Sequence, residues 1–360
     1  MLLSANSTKD FSDQLAGVER QADQSLLVLI GAEAPVELAD LAATLKEQQI
    51  PALGGFFTSI VFDGQLHADK ALAIPIDLCA SPSIRGGTGW VRPLPPVGQL
   101  PSDSLSLLLY QPYRVESSTL ATEVFDRRAH HSHYLGGGAA RHMEDRAHAL
   151  FCDGQLVEAI VATMPGQWSE AIAHGWHSVS GPLIATQCDG RRIFELNWRP
   201  AAEAYLSSLP APLVEQSNHR FKPELGITYP LALQMRPDGD CLLRPPMEAR
   251  KDGSLLVAGI VPENAVVHVA EARDEDLLAV SDALIAAAAA APPIASPLVL
   301  ACRGRQRALG DERFGAELKR VSEAMPEPLV GMVCLGEIAS DGRRYVDVHH
   351  RALAMGWPHA

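Results

Sequence analysis

Five residues near the C-terminal end of the 360-residue chain are of types that pair charges or bind ligands. Cys302, Arg303 and Arg305 directly follow a short apolar run, Glu317 lies on the flank of a helical apolar stripe, and Glu337 follows a later strand pattern. A partly buried carboxylate needs a partner, and a guanidinium could bind both of its oxygens. Two interpretations stay open: a structural ion pair that fixes the helix on the sheet, or ligand contact at the end of a strand.

Cys302 also allows a catalytic hypothesis, because His349 and Glu337 stand in the same segment. A cysteine nucleophile needs a nearby base and a lowered thiol pKa. No helix is predicted to begin directly after Cys302, and buried free cysteines are commonplace. We therefore expect a binding protein rather than an enzyme, with a hydrolase that uses Cys302 as the alternative.

A run of three glycines, Gly136, Gly137 and Gly138, marks the start of a predicted strand. Backbone without side chains can approach a ligand closely, and its N–H groups can hold a carboxylate or another anion. The same run could instead serve tight packing or a bulge. Both roles are kept as hypotheses for this segment.

A cluster of histidines is a candidate for metal or haem binding. It comprises His130, His131 and His133, with His142 and His148 nearby. No carboxylate stands at a ligand offset, and imidazoles near a helix C-terminus are favoured by the helix dipole when protonated. The spacing therefore favours a solvated face, and we predict no metal-ligating residue.

Apolar spacing traces the elements that position these residues. Residues 298–301 predict a buried strand, after which Gly310-Asp311 supply a stop and an N-cap. A helix follows, with a stripe formed by Phe314, Leu318, Val321 and Met325. Residues 328–333 predict a second strand, and Asp341-Gly342 a hairpin turn into residues 345–348.

The same order of elements occurs twice earlier in the chain. One copy begins at residue 26 and contains Gly54-Gly55 and Asp63-Gly64; the other begins at residue 105 and contains the glycine run and Asp153-Gly154. Such self-similarity is strong evidence for a repeated architecture. It predicts a two-domain α/β fold in which repeated strand–helix–strand–hairpin units form mixed sheets flanked by helices.

Other segments predict the boundaries of this architecture. Residues 1–25 are polar and predict an N-terminal arm, residues 26–215 a first domain, and residues 216–360 a second. The segment 83–90 predicts a loop, because its glycines lack the dinucleotide-binding spacing. Residues 229–269 predict antiparallel strands, with turns at Asp238-Gly239 and Asp252-Gly253, that lead into an alanine-rich helix.

Composition limits the function classes. A hydrophobic share of 47% with 20% charged residues is ordinary for a globular protein, and the formal charge of −13 argues against a nucleic-acid surface. Six scattered cysteines without Cys-x-x-Cys spacing are typical of a reduced compartment. No signal-peptide or membrane-spanning pattern occurs, so we expect a cytoplasmic protein with no membrane and no nucleic-acid partner.

The C-terminal motifs resemble those of FIST proteins, a family of bacterial intracellular sensory modules. The resemblance is carried by Cys302-Arg303-Gly304-Arg305, Glu317, Val330-Gly331 and Leu335-Gly336-Glu337-Ile338, and earlier in the chain by Gly136–Gly138 and by Pro200-Ala201 with Tyr205. Met332-Val333-Cys334 stands where the family pattern has an aromatic residue and a threonine. The resemblance implies a FIST N-terminal domain over residues 26–215 and a FIST C-terminal domain over residues 216–360.

The resemblance also implies a function. It suggests a cytosolic sensory protein that binds a small ligand in signal transduction, such as an amino acid or a related metabolite, with contacts from the glycine run and from Cys302, Arg303, Arg305, Glu317 and Glu337. Family members are often joined to kinases or cyclase-type modules, so a separate signalling protein is the expected partner. Some family members are thought to bind haem and sense nitric oxide, which makes a haem sensor the alternative.

Overall fold

The computed structural model describes residues 1–4, 6–96, 98–101, 103–128, 132–143, 145–235, 241–291, 295–343 and 345–359. The strands are Leu2–Leu3 (β1), Ser25–Gly31 (β2), Ala52–Phe57 (β3), Ser59–Phe62 (β4), Gln65–His67 (β5), Ala71–Ile76 (β6), Ser83–Gly86 (β7), Gly89–Arg92 (β8), Ser104–Tyr110 (β9), His133–Gly138 (β10), Leu150–Cys152 (β11), Gln155–Val157 (β12), Ala159–Pro165 (β13), Trp168–Ala173 (β14), His177–Asp189 (β15), Arg192–Leu196 (β16), Arg199–Pro200 (β17), Leu231–Gln234 (β18), Cys241–Arg244 (β19), Pro246–Ala249 (β20), Leu255–Val257 (β21), Val266–Glu271 (β22), Leu298–Cys302 (β23), Val330–Cys334 (β24), Glu337–Ser340 (β25) and Leu353–Pro358 (β26). The helices are Thr8–Ala16 (α1), Leu38–Glu47 (α2), Ser117–Arg128 (α3), Ala201–Ser207 (α4), Ala211–Gln216 (α5), Pro223–Thr228 (α6), Asp274–Ala289 (α7), Arg303–Leu309 (α8) and Asp311–Glu323 (α9).

Three copies of one unit build the larger part of the molecule, which we call the body. Each copy has a first strand (β2, β9 or β23), one or two helices, and a second strand parallel to the first (β3, β10 or β24). A later strand (β6, β13 or β26) returns antiparallel to the first. The first strands are buried on both faces, which explains why they appear in the sequence as largely apolar runs.

The three sheets of the body are completed by exchange between the copies. The hairpin β4–β5 of the first copy pairs with β24 of the third, and β11 of the second copy pairs with β3 of the first. Strand β25 of the third copy pairs with β10 of the second. Each sheet therefore needs a strand from another copy, and the three copies form one closed set of contacts.

An antiparallel sheet inserted between β14 and α7 forms a second unit, which we call the lobe. Its strands run in the order β19-β18-β22-β15-β16-β21-β20, with β17 against β16, and helices α4, α5 and α6 accompany them. Alternating inward side chains, among them Leu183, Ile193, Leu231 and Val267, form its core with the buried Tyr205. The lobe has its own hydrophobic cluster and meets the body at the carboxyl ends of the body strands.

The predicted fold class is confirmed. The chain forms mixed sheets with flanking helices, and the strand–helix–strand order occurs in all three copies. Residues 311–323 form the helix that the apolar stripe predicted, with Phe314, Leu318 and Val321 buried. Residues 1–25 include β1, which pairs with β6, and the helix α1.

Three local predictions were wrong. Residues 83–90 belong to a hairpin, because β7 pairs with both β13 and β8. Residues 345–348 form no strand; β25 instead runs beside β10, and the return strand is β26. A helix, α8, begins directly after Cys302, where none was expected, and it ends at Leu309, before Gly310, whose φ of 77° favours glycine. The turn predicted at Asp238-Gly239 lies outside the described residues.

No helix in the described part of the chain is long and apolar enough to cross a membrane. The six cysteines are free thiols, and Cys152, Cys302 and Cys334 are buried.

Candidate functional site

A cleft of about 790 Å³ lies between the body and the lobe. The body lines it with residues 112–117, after β9, and with residues at the ends of β23 and β24, among them Cys302 and Gly336. The lobe lines it with residues of α6 and with segments beside β20 and β21. This position matches the general rule that ligands of open α/β sheets bind beyond the carboxyl ends of the strands. The cleft is therefore the candidate binding site.

Arg351 is the most unusual side chain in this cleft. It is 3% exposed, and no carboxylate among the described residues forms an ion pair with it. Its Nη2 donates to the Gly226 carbonyl at 2.9 Å and its Nη1 to the Gly304 carbonyl at 3.4 Å, whereas Nε has no hydrogen-bond partner in the described structure. Burial lowers the pKa of Arg351 to about 10. A buried cation without a counter-ion is unusual, because buried charges are normally paired.

The backbone at Arg351 is also unusual. Its φ is 59°, a value that non-glycine residues seldom adopt. The Arg351 N–H donates to the Cys302 sulphur at 3.0 Å, which ties the end of β23 to the segment before β26. Strained residues are retained where the surrounding structure fixes them, often at ligand sites.

His350 lines the cleft next to Arg351. Burial, together with the charges of Arg244, Arg191 and Arg351, lowers the pKa of its imidazole well below the usual value. Its Nε2 is buried and has no hydrogen-bond partner within the described residues. His350 is thus neutral at neutral pH, with a ring nitrogen free to bind a ligand group.

Cys302 lies at the floor of the cleft, 4% exposed. Burial is the main reason that the pKa of its thiol is raised to about 12, with a further contribution from Glu337. A helix does begin directly after Cys302, contrary to the sequence-based expectation, but its effect does not outweigh burial. The thiol is therefore protonated at neutral pH, and such a thiol is a poor nucleophile.

Glu337 lies behind the cleft and is fully buried. The Cys334 sulphur donates to its Oε1 at 3.4 Å, and its Oε2 has no hydrogen-bond partner in the described part of the chain. Burial raises the pKa of Glu337 to about 8, against the opposing effects of the Cys334 and Cys302 thiols. Its backbone forms a two-way bridge with His349, with N···O distances of 3.0 and 2.7 Å.

Arg305 and Glu317 form an ion pair that does not line the cleft. Arg305 is fully buried and donates from Nε to Glu317 Oε2 at 2.8 Å and from Nη2 to Oε1 at 2.6 Å. Its remaining N–H groups donate to the carbonyls of His174, Arg351 and Leu277, so that five hydrogen bonds satisfy the guanidinium. The bidentate geometry is that predicted for Glu317, and its contacts are all within the protein.

The Arg305 hydrogen bonds join both connections between the body and the lobe. The His174 carbonyl lies between β14 and β15, and the Leu277 carbonyl lies in α7, which follows β22. Trp176, 4% exposed, has the Arg305 guanidinium 6.0 Å and the Arg351 guanidinium 5.6 Å from its ring centroid. The ion pair and the cleft are thus adjacent, and a single aromatic side chain contacts both.

The glycine run is buried inside the second sheet and does not line the cleft. A Cβ on Gly136 would lie 2.2 Å from the Leu108 carbonyl oxygen, and one on Gly138 would lie 2.3 Å from the Leu335 carbonyl oxygen. A Cβ on Gly137 would lie 2.7 Å from the Cys334 sulphur. The glycines let β10 pack closely between its neighbours and against the third copy, which is the packing role that the sequence left open.

Of the predicted site residues, the structure brings Cys302 to the cleft and places Glu337 directly behind it. Arg303 is half-buried at the start of α8 and, like Arg305, Glu317 and the glycine run, is not part of the cleft lining. Sequence reasoning missed the residues that give the cleft its charge. These are Arg114, Arg146, Arg191, Arg307 and Arg351, and the neutral His350 beside Arg351 was missed as well. One signal was available, because His349-His350-Arg351 is a polar run directly before an apolar strand.

The histidine cluster contributes no metal site in the described residues. His133 contacts Glu170, with Nδ1 and Oε2 2.6 Å apart, and this hydrogen bond is the main reason that the pKa of His133 is raised. His130 and His131 lie outside the described residues. His142 is exposed, and His148 has a buried Nδ1 without a hydrogen-bond partner among the described atoms.

Comparison with known proteins identifies the family. The FIST N domain matches residues 24–199, and the FIST C domain matches residues 201–340. The two matches meet inside the lobe, so β15 and β16 come from one and β18 to β22 from the other. A search of curated proteins finds no match to this chain. The chain belongs to the FIST family, whose domains are associated with sensing in signal transduction.

Proposed function

We propose that this protein is a sensor that binds a small anionic metabolite, such as an amino acid or a related carboxylate, in the cleft between body and lobe. The observation that carries the proposal is Arg351, a buried guanidinium with no carboxylate partner in the described residues and with an unused Nε. A carboxylate would supply the missing hydrogen-bond acceptors, and such charge-assisted bonds are among the strongest in proteins. The volume of about 790 Å³ suits a small metabolite.

The position of the cleft supports a sensory role. The Arg351 carbonyl accepts a hydrogen bond from Arg305, which also binds both connections to the lobe. A ligand that contacts Arg351 would thus act next to the segments that set the position of the lobe. A shift in that position would present a changed surface to a separate signalling protein in the cytoplasm, and we propose a kinase or a cyclase-type protein as that partner.

A thermal-shift screen of the full chain with amino acids and related carboxylates tests the proposal, because a ligand of the native state raises its apparent stability. Arg351→Gln is expected to abolish the shift, and Arg199→Gln, which alters an exposed pair with Glu203, is the matched control. A shift that survives Arg351→Gln would place the ligand elsewhere.

A haem-binding nitric oxide sensor is the second candidate, and His350 is the observation that favours it. Its neutral imidazole and its unpaired Nε2 are the features that an axial ligand needs, and the cleft arginines could hold the haem propionates. Haem would supply an iron that binds nitric oxide. Purified protein mixed with haem should then show a Soret band that His350→Ala removes and His142→Ala, an exposed control, retains. Haem absorbance unchanged by His350→Ala would reject this candidate.

We propose that the cleft binds rather than hydrolyses its ligand. The buried thiol of Cys302, with its pKa raised to about 12, supports this proposal. A chromogenic ester screen with the unmodified protein and with Cys302→Ala is the test, and turnover that depends on Cys302 would contradict it.

A further inference from the structure

The cleft is rich in positive charge, although the whole chain carries a formal charge of −13. Five arginines line it, namely Arg114, Arg146, Arg191, Arg307 and Arg351, against two carboxylates, Glu116 and Glu224. A concentration of one sign inside a concave site of an oppositely charged protein raises the local concentration of the complementary ligand. The excess of arginines over carboxylates in the cleft therefore favours a negatively charged ligand.

Most of these arginines have no internal counter-ion. Arg114 is paired with Glu158 at 3.1 Å, but Arg191, Arg307 and Arg351 meet no carboxylate within the part of the chain that the structure describes. Arg191 donates from Nε to the Val257 carbonyl at 3.1 Å and from Nη2 to the Met247 sulphur at 3.8 Å. The exposed Arg307 donates from Nη1 to the Met143 sulphur at 3.4 Å, and its guanidinium has no further hydrogen bond within the described residues. Three guanidinium groups thus keep donors available for a ligand.

The two carboxylates of the cleft do not neutralise this charge. Glu116 Oε2 accepts from the Thr119 backbone N–H at 2.6 Å, at the start of α3, and Glu224 is exposed on α6. The charge of Arg307 acts on Arg351, and the charges of Arg191 and Arg351 both act on His350. Arg307 and Arg351 therefore repel each other, and Arg191 and Arg351 both lie near His350. An anion with one negative charge would leave part of this positive charge unpaired.

We propose that the ligand carries two negative charges, either as two carboxylates or as a phosphate monoester, with Arg351 binding one acidic group and Arg191 and Arg307 the remaining charge. This inference rests on the proposed function, because it describes the ligand of the same cleft. It narrows the ligand class to acidic amino acids, dicarboxylates and phosphorylated metabolites.

Matched pairs of ligands that differ mainly in charge test the inference. Isothermal titration of the full chain would compare L-glutamate with L-glutamine and O-phospho-L-serine with L-serine. The doubly acidic member of at least one pair should bind at least about tenfold more tightly, since a charge-assisted bidentate contact is lost in the neutral member. Preference within the first pair would indicate a dicarboxylate site, and preference within the second a phosphate site.

Variants of the same protein separate this inference from the proposed function. Arg307→Gln should bring the affinity of the doubly acidic ligand close to that of its neutral partner, whereas the control Arg199→Gln should leave the ratio unchanged. The neutral ligands could instead bind as tightly as the acidic ones, with binding still lost in Arg351→Gln. That result would overturn the inference that the ligand carries a second negative charge, but it would keep the cleft as the binding site. No binding by any of the four ligands would count against both proposals.

Discussion

Two arginines of the third copy, Arg305 and Arg351, are both buried and both lie near the ring of Trp176. Arg305 uses its five N–H groups inside the protein and has Glu317 as its counter-ion. Arg351 has no carboxylate partner in the described chain and keeps Nε unpaired. The comparison shows how a cation whose charge is offset inside the protein differs from one without such a partner, since the free energy of burying a charge must be offset inside or outside the protein. We propose that a ligand offsets the charge of Arg351.

The glycines show the same contrast. Gly136 is surrounded by backbone atoms inside a sheet, whereas Gly304 and Gly336 line the cleft. A glycine in one copy of the repeat can thus serve close packing, while glycines in another copy lie beside the candidate binding site. Sequence position alone does not separate the two roles.

The largest effect is expected from Arg305→Ala, which leaves the Glu317 carboxylate buried without a partner. Removing one member of a buried pair costs about 3–5 kcal/mol in the free energy of unfolding. Urea denaturation at pH 7 would measure the change, with Arg199→Ala as an exposed control whose cost should stay below about 0.5 kcal/mol. A loss of unfolding free energy below about 1 kcal/mol in Arg305→Ala would contradict a structural role for the ion pair.

Replacing both members of the pair would sharpen that result. Arg305→Met combined with Glu317→Leu removes both buried charges and keeps similar volume. Such replacements are often neutral or stabilising, so the double variant should recover most of the lost stability. A double variant as unstable as Arg305→Ala would show that the hydrogen bonds to His174, Leu277 and Arg351 matter more than the ion pair.

The second prediction concerns Glu337, a buried carboxylate without a cationic partner in hydrogen-bond contact within the described structure. The pKa of Glu337 is about 8 in the folded protein, whereas the ordinary value is 4.5. Between pH 4.5 and about pH 8, the folded protein therefore keeps a proton that the unfolded chain releases. The contribution of Glu337 to the free energy of unfolding should therefore fall as pH rises from about 4.5 to about 8. In the whole protein we expect the decline above about pH 6.5, where the buried histidines no longer oppose it.

Glu337→Gln should remove this decline. We expect the decline to amount to a few kcal/mol, because each pKa unit corresponds to about 1.4 kcal/mol. Urea denaturation between pH 5 and about pH 9 would record both slopes, and the exposed Glu248→Gln should retain the slope of the unmodified protein. On the acid side, burial lowers the pKa of His349 to about 3 and that of His174 to about 4, so stability should also fall below about pH 6.5. An unchanged alkaline slope in Glu337→Gln would assign the titration to another group.

The third prediction tests the glycine run as a packing element. Gly136→Ala would place a Cβ 2.2 Å from the Leu108 carbonyl oxygen, so β9 or β10 must shift. Overpacking of this kind costs about 1–3 kcal/mol, which thermal unfolding would detect. Gly315→Ala, in α9 with no described atom near its Cβ position, should instead be neutral or stabilising. If Gly136→Ala unfolds like the unmodified protein but loses ligand affinity, the run has a binding role.

The smallest effect on stability is expected from Arg351→Met, which removes a buried charge that has no counter-ion. The lost hydrogen bond to the Gly226 carbonyl and the gain from removing the desolvated cation should nearly cancel, leaving a change within about 1 kcal/mol. Urea denaturation without ligand would measure it beside Arg305→Met. Equal and large losses of unfolding free energy in both variants would show that Arg351 has a structural role like that of Arg305.

Much of the fold could be predicted from the sequence because it depends on local patterns. The apolar stripe from Phe314 to Val321 indicated α9, and the largely apolar runs at residues 26–30, 105–110 and 298–301 indicated the three buried strands. The partnership of Glu317 with an arginine followed from the cost of burying a lone carboxylate. The repeat of strand, helix and glycine-containing strand predicted the copies themselves.

The sequence by itself thus determined the α/β class, the three repeated units, the family and the need of Glu317 for a guanidinium. Only the tertiary structure decided which copy completes which sheet, because pairing of β25 with β10 or of β4 with β24 depends on contacts far apart along the chain. It also decided the site. Arg191, Arg307 and Arg351 are ordinary charged residues in the sequence, and their charges converge only where the lobe closes against the ends of the body strands.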